Sequence, residues 1–411
     1  MFSKKHFICC LLVCVTTVTH ASALIDSNLI NRIKELTTQL GKKVAPDKRT
    51  AIFNVQVLET PTATVELETT IPSAVAALRS EFQKAGLNVI VQPKLLPAAE
   101  LGTQLYGVVR LSVANNRKEP AHSAEMMTQM LMGTPVELLK KERGYALVRS
   151  PDQYISWVET AALAIMDAND LQSWKNAQKL VYTADYGFTY AAPNEKSQRV
   201  SDVVNGAIFK VLGKEKGFYK IQYADQRLAY VPVQTAADYQ NWVKRPNPKA
   251  TAILNTAKTL IGVPYLWGGT SVKGVDCSGF TKTSYFLNGI VIPRDASQQA
   301  LVGTPVDVLE ADTLNLQKAL KNLQPGDLLF FAAAKGKTPN ARITHTAIYM
   351  GNGQFIQSAG MVRINSIDAS AADYDAYNTK TLVSARRMLD AIGTPQIQRM
   401  DQHEFYTNLK P

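Results

Sequence analysis

The chain has 411 residues, 46% hydrophobic and 19% charged, with a formal net charge of +11. This ordinary globular composition over such a length exceeds one hydrophobic core and predicts two to four domains. Beyond the first 23 residues no apolar run is long enough to span a membrane, and no basic block interleaved with aromatics points to nucleic acid; the charge fits an anionic envelope polymer or a plain basic surface.

The segment MFSKKHFICCLLVCVTTVTHASA (1–23) reads as a secretory signal. Lys4 and Lys5 form its basic start, Phe7 to Val18 its short apolar stretch, and Ala21-Ser22-Ala23 its small-residue cleavage site. A lipid anchor on Cys14 is disfavoured by bulky Val13 where a small residue is expected. Cleavage after Ala23 leaves 388 residues with charge +9, exported to the periplasm or outside the cell without a stable membrane anchor. Of the four cysteines, Cys9, Cys10 and Cys14 leave with the signal, so Cys277 has no partner for an intrachain disulfide in an oxidising compartment.

Between Ser27 and Leu40, the residues Leu29, Ile30, Ile33, Leu36 and Leu40 recur at helical spacing, with Asp26 or Ser27 as N-cap and Gly41 just past the end. TAIFNVQVL (51–59) and ATVELET (63–69) alternate as strands, PSAVAALRSEFQKAG (72–86) reads as a helix, and LNVIVQP (87–93) as another strand. Residues 24–104 therefore read as a small α+β domain with no chemistry of its own.

An internal repeat follows. VELLKKERGYALVRSPDQYISWV (136–158) aligns without gaps onto FKVLGKEKGFYKIQYADQRLAYV (209–231), with an offset of 73 and 7 of 23 positions identical. Each copy reads strand, Gly turn, strand, Asp-Gln turn, short strand. Such short, evenly spaced strands predict two small β-barrels, over 105–168 and 176–242. The pattern resembles bacterial SH3-like domains of cell-wall proteins. Tyr154 in the first copy is Arg227 in the second, so the copies need not share a job.

After a polar, Pro-containing linker (243–250), TAILNTAKTLIG (251–262) reads as a helix opening the last domain, 250–411. The stretch GVPYLWGGTSVKGVDCSGF (262–280) then sets four glycines before Cys277 and one after it. Asp276 is a good N-cap, Phe280, Ser284 and Leu287 share a helical face, and Asn288-Gly289 closes the helix. Cys277 thus lies in a first helical turn, where free N–H groups and the dipole favour a thiolate, and the glycines are expected to let the chain turn tightly and to leave a substrate room to approach. An inert core cysteine is the plain alternative, but it needs none of these neighbours.

A nucleophile needs a base. Three histidines lie beyond the signal: His122 in a loop near the first barrel, His403 in a polar tail, and His345 in ITHTAIYMGNGQFIQSAG (343–360), which reads as strand, turn, strand. A three-residue loop at 351–353 sets Ala347 opposite Gln357 and puts His345 and Gln357 on one face, about 7–8 Å apart at the backbone. A two-residue loop would put them on opposite faces.

PYLWGG, VDCSGF, PRDASQQ (293–299), LQPGDLLFF (323–331) and ITHTAIYMGNGQFIQSAG occur in the order and spacing of the NlpC family of papain-like cell-wall cysteine peptidases, which residues 250–390 resemble. The resemblance extends through both barrels to a subgroup that cleaves already-trimmed wall peptides. It implies an α+β chain: a papain-like NlpC catalytic domain preceded by two SH3-like β-barrels and the N-terminal α+β domain. It implies Cys277 as nucleophile, His345 as base and Gln357 orienting the imidazole, where most of the family has His. A neutral amide fixes the tautomer, as Asn does in papain-like enzymes, but brings no charge to the imidazolium. The backbone N–H of Cys277 and the Tyr265 hydroxyl would hold the oxyanion. By the same resemblance Glu125, Tyr154 and Asp295 would hold the free N-terminal ammonium of the substrate. Ser278, Ser297 and Arg294 would meet its D-glutamate carboxylate.

The expected activity is hydrolysis of the γ-D-glutamyl–diamino acid bond in murein peptides with a free N-terminal L-Ala, by way of a thioester. The expected partners are peptidoglycan-derived peptides and no nucleic acid, with the chain acting as a monomer. No cofactor or metal is expected, because the residues beyond the signal offer too few His and Cys for a zinc site. The alternatives are an endopeptidase on intact, glycan-attached stems and a non-catalytic wall-binding protein.

Overall fold

The computed structural model describes residues 27–58, 60 and 62–408, so the secretory segment lies outside the described residues. The chain divides into two units. The first holds residues up to Pro46 together with Phe53–Lys94. Its helices Ser27–Val44 and Ser73–Lys84 accompany a three-stranded sheet in the order Phe53–Leu58, Thr64–Thr69, Ile90–Leu95. Ile33, Val65, Leu67, Leu78 and Phe82 form its core, as the apolar spacing predicts. One boundary differs: the first helix runs through Gly41 to Val44. The Phe53 ring lies 3.1 Å from where a Cβ at Gly41 would sit, so this glycine serves packing and not termination.

The second unit takes Leu95–Pro411 and also Asp47–Ile52. That six-residue strap reads from sequence as part of the α+β domain, yet Ile52 is buried with Leu96 and with Leu139, Tyr145 and Trp157 of the first barrel. The Arg49 carbonyl accepts the Ile155 N–H at 2.7 Å.

The two barrels are seven-stranded sheets with one topology. The first runs Leu163–Met166, Tyr106–Val109, Pro135–Glu142, Tyr145–Arg149, Ile155–Glu159, Val113–Arg117, Met126–Leu131; the second has the equivalent order. The sequence repeat extends to the backbone. Arg143 and Gln153 have φ of 51° and 64°, and their counterparts Lys216 and Gln226 have 47° and 70°.

The last domain is built on a six-stranded sheet ordered Thr304–Val306, Leu382–Arg387, Leu328–Phe331, His345–Gly351, Gln354–Ala359, Met361–Ser366. The helix Cys277–Phe286 packs on it, with Phe280, Tyr285, Leu328, Phe330, Ile348 and Ile356 in one core. Burying that helix against strand 345–351 brings its first turn to the start of the same strand, where His345 stands.

Candidate active site

Asp276 caps the Cys277 helix, its carboxylate accepting the Gly279 N–H at 2.6 Å and the Gly268 N–H at 2.9 Å. Of the two jobs expected of the glycines, the structure shows the tight turn. A Cβ at Gly279 would lie 1.9 Å from the Gly269 carbonyl oxygen, and one at Gly269 2.3 Å from that of Gly274. They let the loop fold onto the helix start and do not clear a path for substrate. Gly268, at φ +78°, leaves no room for a Cβ against Met126 of the first barrel.

Burial pushes the Cys277 thiol up to about 12, helped by the nearby Asp276 charge and opposed by the N–H groups of Thr346 and Ser278. The thiolate expected at this helix start is therefore outweighed by loss of solvent. Burial also lowers the pKa of His345, against the Gln357 hydrogen bond and the charges of Asp375 and Asp276. Both shifts favour a pair of thiol and neutral imidazole. The Thr346 N–H beside the sulfur places Cys277 against the residue that follows His345.

The hairpin reaches the expected register by another route. Gly351 pairs with Gln354 around a two-residue turn, Asn352-Gly353, both at positive φ. A bulge at Met350 inserts one residue, so Ile348 faces Ile356. Continuing that register sets Ala347 opposite Gln357. His345 Nε2 and Gln357 Oε1 are 2.6 Å apart, which leaves Nδ1 outside this hydrogen bond. The Gln357 side chain is fully buried, and Phe331 stacks on the imidazole with ring centroids 5.5 Å apart. His122 instead bonds the Tyr145 hydroxyl at 3.0 Å. His403 is buried on the Pro151 carbonyl, not exposed in a tail.

Cys277 opens into a cleft of about 510 Å³ that also has Glu125, Tyr154, Tyr265, Ser278, Asp295 and Ser297 in its walls. His345 lines an adjoining cavity of about 310 Å³, which shares Thr344 with the first. A further cavity of about 570 Å³, with Asp47, Thr50, Pro151 and His403 in its wall, includes neither Cys277 nor His345. The Tyr154 hydroxyl donates to Asp295 Oδ2 at 3.1 Å, and burial raises its pKa so that it stays a neutral donor. Glu125, in a loop and not a helix, accepts the Trp267 indole N–H at 3.1 Å.

Arg294 does not reach the cleft. Its side chain has no exposed surface, and its guanidinium is spent on Asp276, Thr128 and Ser278. It braces the nucleophile's N-cap and cannot meet a substrate carboxylate in this arrangement. Arg49 from the strap, which sequence reasoning missed, does line the cleft, as does Arg342. Its Nη1 donates to Asp295 Oδ2 at 2.8 Å and to Ser297 Oγ at 2.9 Å, while Nε and Nη2 engage Asp47. Asp295 therefore already carries a counter-ion. No periodic pattern in APDKRTA (45–51) marks that role.

The NlpC/P60 family signature matches residues 262–387. The chain carries an NlpC/P60 domain, that of a family of cysteine peptidases. Upstream, a bacterial dipeptidyl-peptidase SH3 domain matches 116–163 and a bacterial SH3 domain 189–237. A Bacillus cereus gamma-D-glutamyl-L-lysine dipeptidyl-peptidase is 27% identical, over 65% of this chain and 78% of that one. Dipeptidyl-peptidase 6 of Lysinibacillus sphaericus is 26% identical, over 64% and 91%. The crystal structure of an NlpC/P60 family protein from Bacillus cereus shares the fold with a TM-score of 0.57 at 24% identity, covering 69% of this chain and 99% of that one. The NlpC/P60 domain and the two SH3 barrels are thus present as expected. Among the described residues no helix is long and apolar enough to cross a membrane, and no acidic, His or Cys cluster could hold a metal.

Proposed function

We propose that this NlpC/P60 peptidase hydrolyses the γ-D-glutamyl–diamino acid bond of cell-wall peptides that carry a free N-terminal L-Ala, in the periplasm or outside the cell. The observation that carries the reading is the meeting of Tyr154 and Asp295 in the Cys277 cleft. A first-barrel side chain there helps wall a cleft whose other end holds the nucleophile, which suits a short peptide with an exposed amine. The names of the relatives, gamma-D-glutamyl-L-lysine dipeptidyl-peptidase and dipeptidyl-peptidase 6, agree with it. In this reading His345 takes the Cys277 proton as the sulfur attacks, then delivers it to the leaving diamino acid, and water resolves the thioester. Ser278 and Ser297 remain the candidates for the D-glutamate carboxylate, and Tyr265 with the Cys277 N–H for the oxyanion. The test is mass spectrometry of L-Ala-γ-D-Glu-diamino acid before and after incubation, free and N-acetylated side by side. Loss of the free form alone is expected.

One observation favours a second reading, cleavage of intact stems. Arg49 neutralises Asp295, and an acylated N-terminus would leave that pair undisturbed. Equal rates on both peptides would select it.

A further inference from the structure

Gln357 is neutral, but the hydrogen-bond chain does not end there. Its Nε2 donates to Asp375 Oδ2 at 3.1 Å and to Asn365 Oδ1 at 2.8 Å. Its Oε1 accepts from Asn378 at 2.9 Å, besides meeting His345. Asn378 Nδ2 also donates to Asp375 Oδ2, at 2.8 Å. A carboxylate can only accept. With Asp375 in place the Gln357 NH2 must face it, and the Gln357 oxygen must face Asn378 and His345. The reversed amide would set oxygen against carboxylate and NH2 against NH2. An acceptor at His345 Nε2 requires the Nε2–H tautomer, and that frees Nδ1.

We propose that Asp375 is a positioning residue of the peptidase: its carboxylate fixes the Gln357 amide and thereby the His345 tautomer, and supplies through that amide the negative charge a neutral third residue lacks. The proposal rests on Cys277, His345 and Gln357 being the triad. Its plain rival is that Asp375 only caps the short helix Ala376–Thr381, whose Asn378 N–H its Oδ1 accepts at 2.9 Å. The other charges acting on the imidazole are Asp276 at the helix start and Arg363, which pairs with Gln357 from strand Met361–Ser366; the titratable Tyr377 lines the same cavity as His345. Arg363 acts with the opposite sign to Asp375.

Asp375→Asn keeps a capping oxygen but removes the charge and lets the amide turn. On the free tripeptide kcat should fall roughly tenfold with KM nearly unchanged. The acid limb of the kcat/KM profile, which reports the Cys–His pair, should move to lower pH, because loss of a neighbouring negative charge makes the imidazole harder to protonate. Arg363→Gln should move the same limb to higher pH. A mere cap would move neither, so wild-type kcat and an unmoved limb in Asp375→Asn overturn the proposal, as do shifts of one sign in both variants. The second readout needs no substrate: 15N spectra of histidine-labelled wild-type enzyme should show His345 protonated at Nε2. An Nδ1–H tautomer sinks the proposal even if Asp375→Asn fails to fold. Should wild type cleave none of the peptides, the substrate reading falls while the tautomer still decides on Asp375.

Discussion

The two barrels share strand order, turn positions and even the same positive-φ residues, yet they do different work. In the first, Tyr154 reaches Asp295 in the cleft, Gln129 takes the Thr270 N–H of the catalytic loop at 3.1 Å, and Thr128 accepts from Arg294 at 2.8 Å. In the second, the counterpart Arg227 turns back on Asp225 of its own barrel at 2.7 Å and donates to the Arg110 carbonyl of the first at 3.1 Å. The second barrel also packs so closely on the first that a Cβ at Gly133 would lie 2.3 Å from the Ile208 carbonyl oxygen. One copy supplies a wall of the active site and the other braces that copy. A repeat fixes the scaffold, and the few positions where its copies diverge decide what each does.

The largest expected effect lies outside both barrels and sets the floor for reading them. Cys277→Ser should lower turnover at least about a thousandfold while the protein still binds peptide, since a hydroxyl is a far weaker nucleophile in a site built for sulfur. Iodoacetamide should label Cys277, and full activity after complete labelling would end the cysteine-peptidase assignment. Next come the first-barrel side chains. Tyr154→Phe removes one of the donors on Asp295, and Glu125→Gln removes a half-exposed charge. Each should lower kcat/KM on free L-Ala-γ-D-Glu-diamino acid about tenfold and leave the acetylated peptide nearly untouched, ~1.4 kcal/mol and so less than truncating a fully buried charge pair costs. Equal losses on both peptides would mean that the first barrel shapes the cleft without reading the amine.

Much of this division can be read from the sequence because its signals are local. The Gly and Asp-Gln turns repeat at a fixed offset, Asp276 caps a helix four residues before an apolar face begins, and alternation sets Gln357 on the His345 side of a hairpin. Even the misjudged loop length did no harm, because the Met350 bulge restored the register. What stayed hidden depends on contacts between distant segments. Asp375 lies in AADYDAYNTK, which carries no periodicity, and its value comes only from Gln357 standing beside it in the fold. Arg49 enters from a six-residue strap that the sequence assigns to another domain. Arg294 misled in the opposite sense. The family resemblance implies a ligand-binding role for it, and only three-dimensional packing shows it buried under Asp276.

Arg49 sharpens the comparison further, because it limits how strongly the first-barrel wall can select for charge. Its 2.8 Å ion pair with Asp295 is about one-quarter exposed on both sides, so any substrate ammonium shares that carboxylate with a resident cation. Arg49→Gln keeps donors for Asp47 and Ser297 but leaves Asp295 without its counter-ion. The ratio of rates on free over acetylated peptide should then rise about threefold, within the ~1 kcal/mol that a part-exposed pair is worth. A falling ratio would show that Arg49 holds Asp295 in place for the ammonium and does not compete with it.

The smallest effect is expected at Arg227, and it tests the comparison directly. Arg227 occupies the position of Tyr154 in the repeat, but its guanidinium is committed to Asp225 and the Arg110 carbonyl and lies against the Tyr223 ring. None of these groups lines the Cys277 cleft. Arg227→Ala therefore removes only a part-exposed ion pair and one bond between barrels, a loss of about 0–1 kcal/mol that should lower Tm by roughly 2 °C or less. Steady-state constants on the free and acetylated peptides should stay within about twofold of wild type, which is ~0.4 kcal/mol. Arg110 keeps its own 2.8 Å contact with Asp225, so the barrels remain joined in the variant. If Arg227→Ala instead lost the preference for a free amine as Tyr154→Phe is expected to, the second barrel would be acting on the cleft through the first, and the split between wall and brace would not hold.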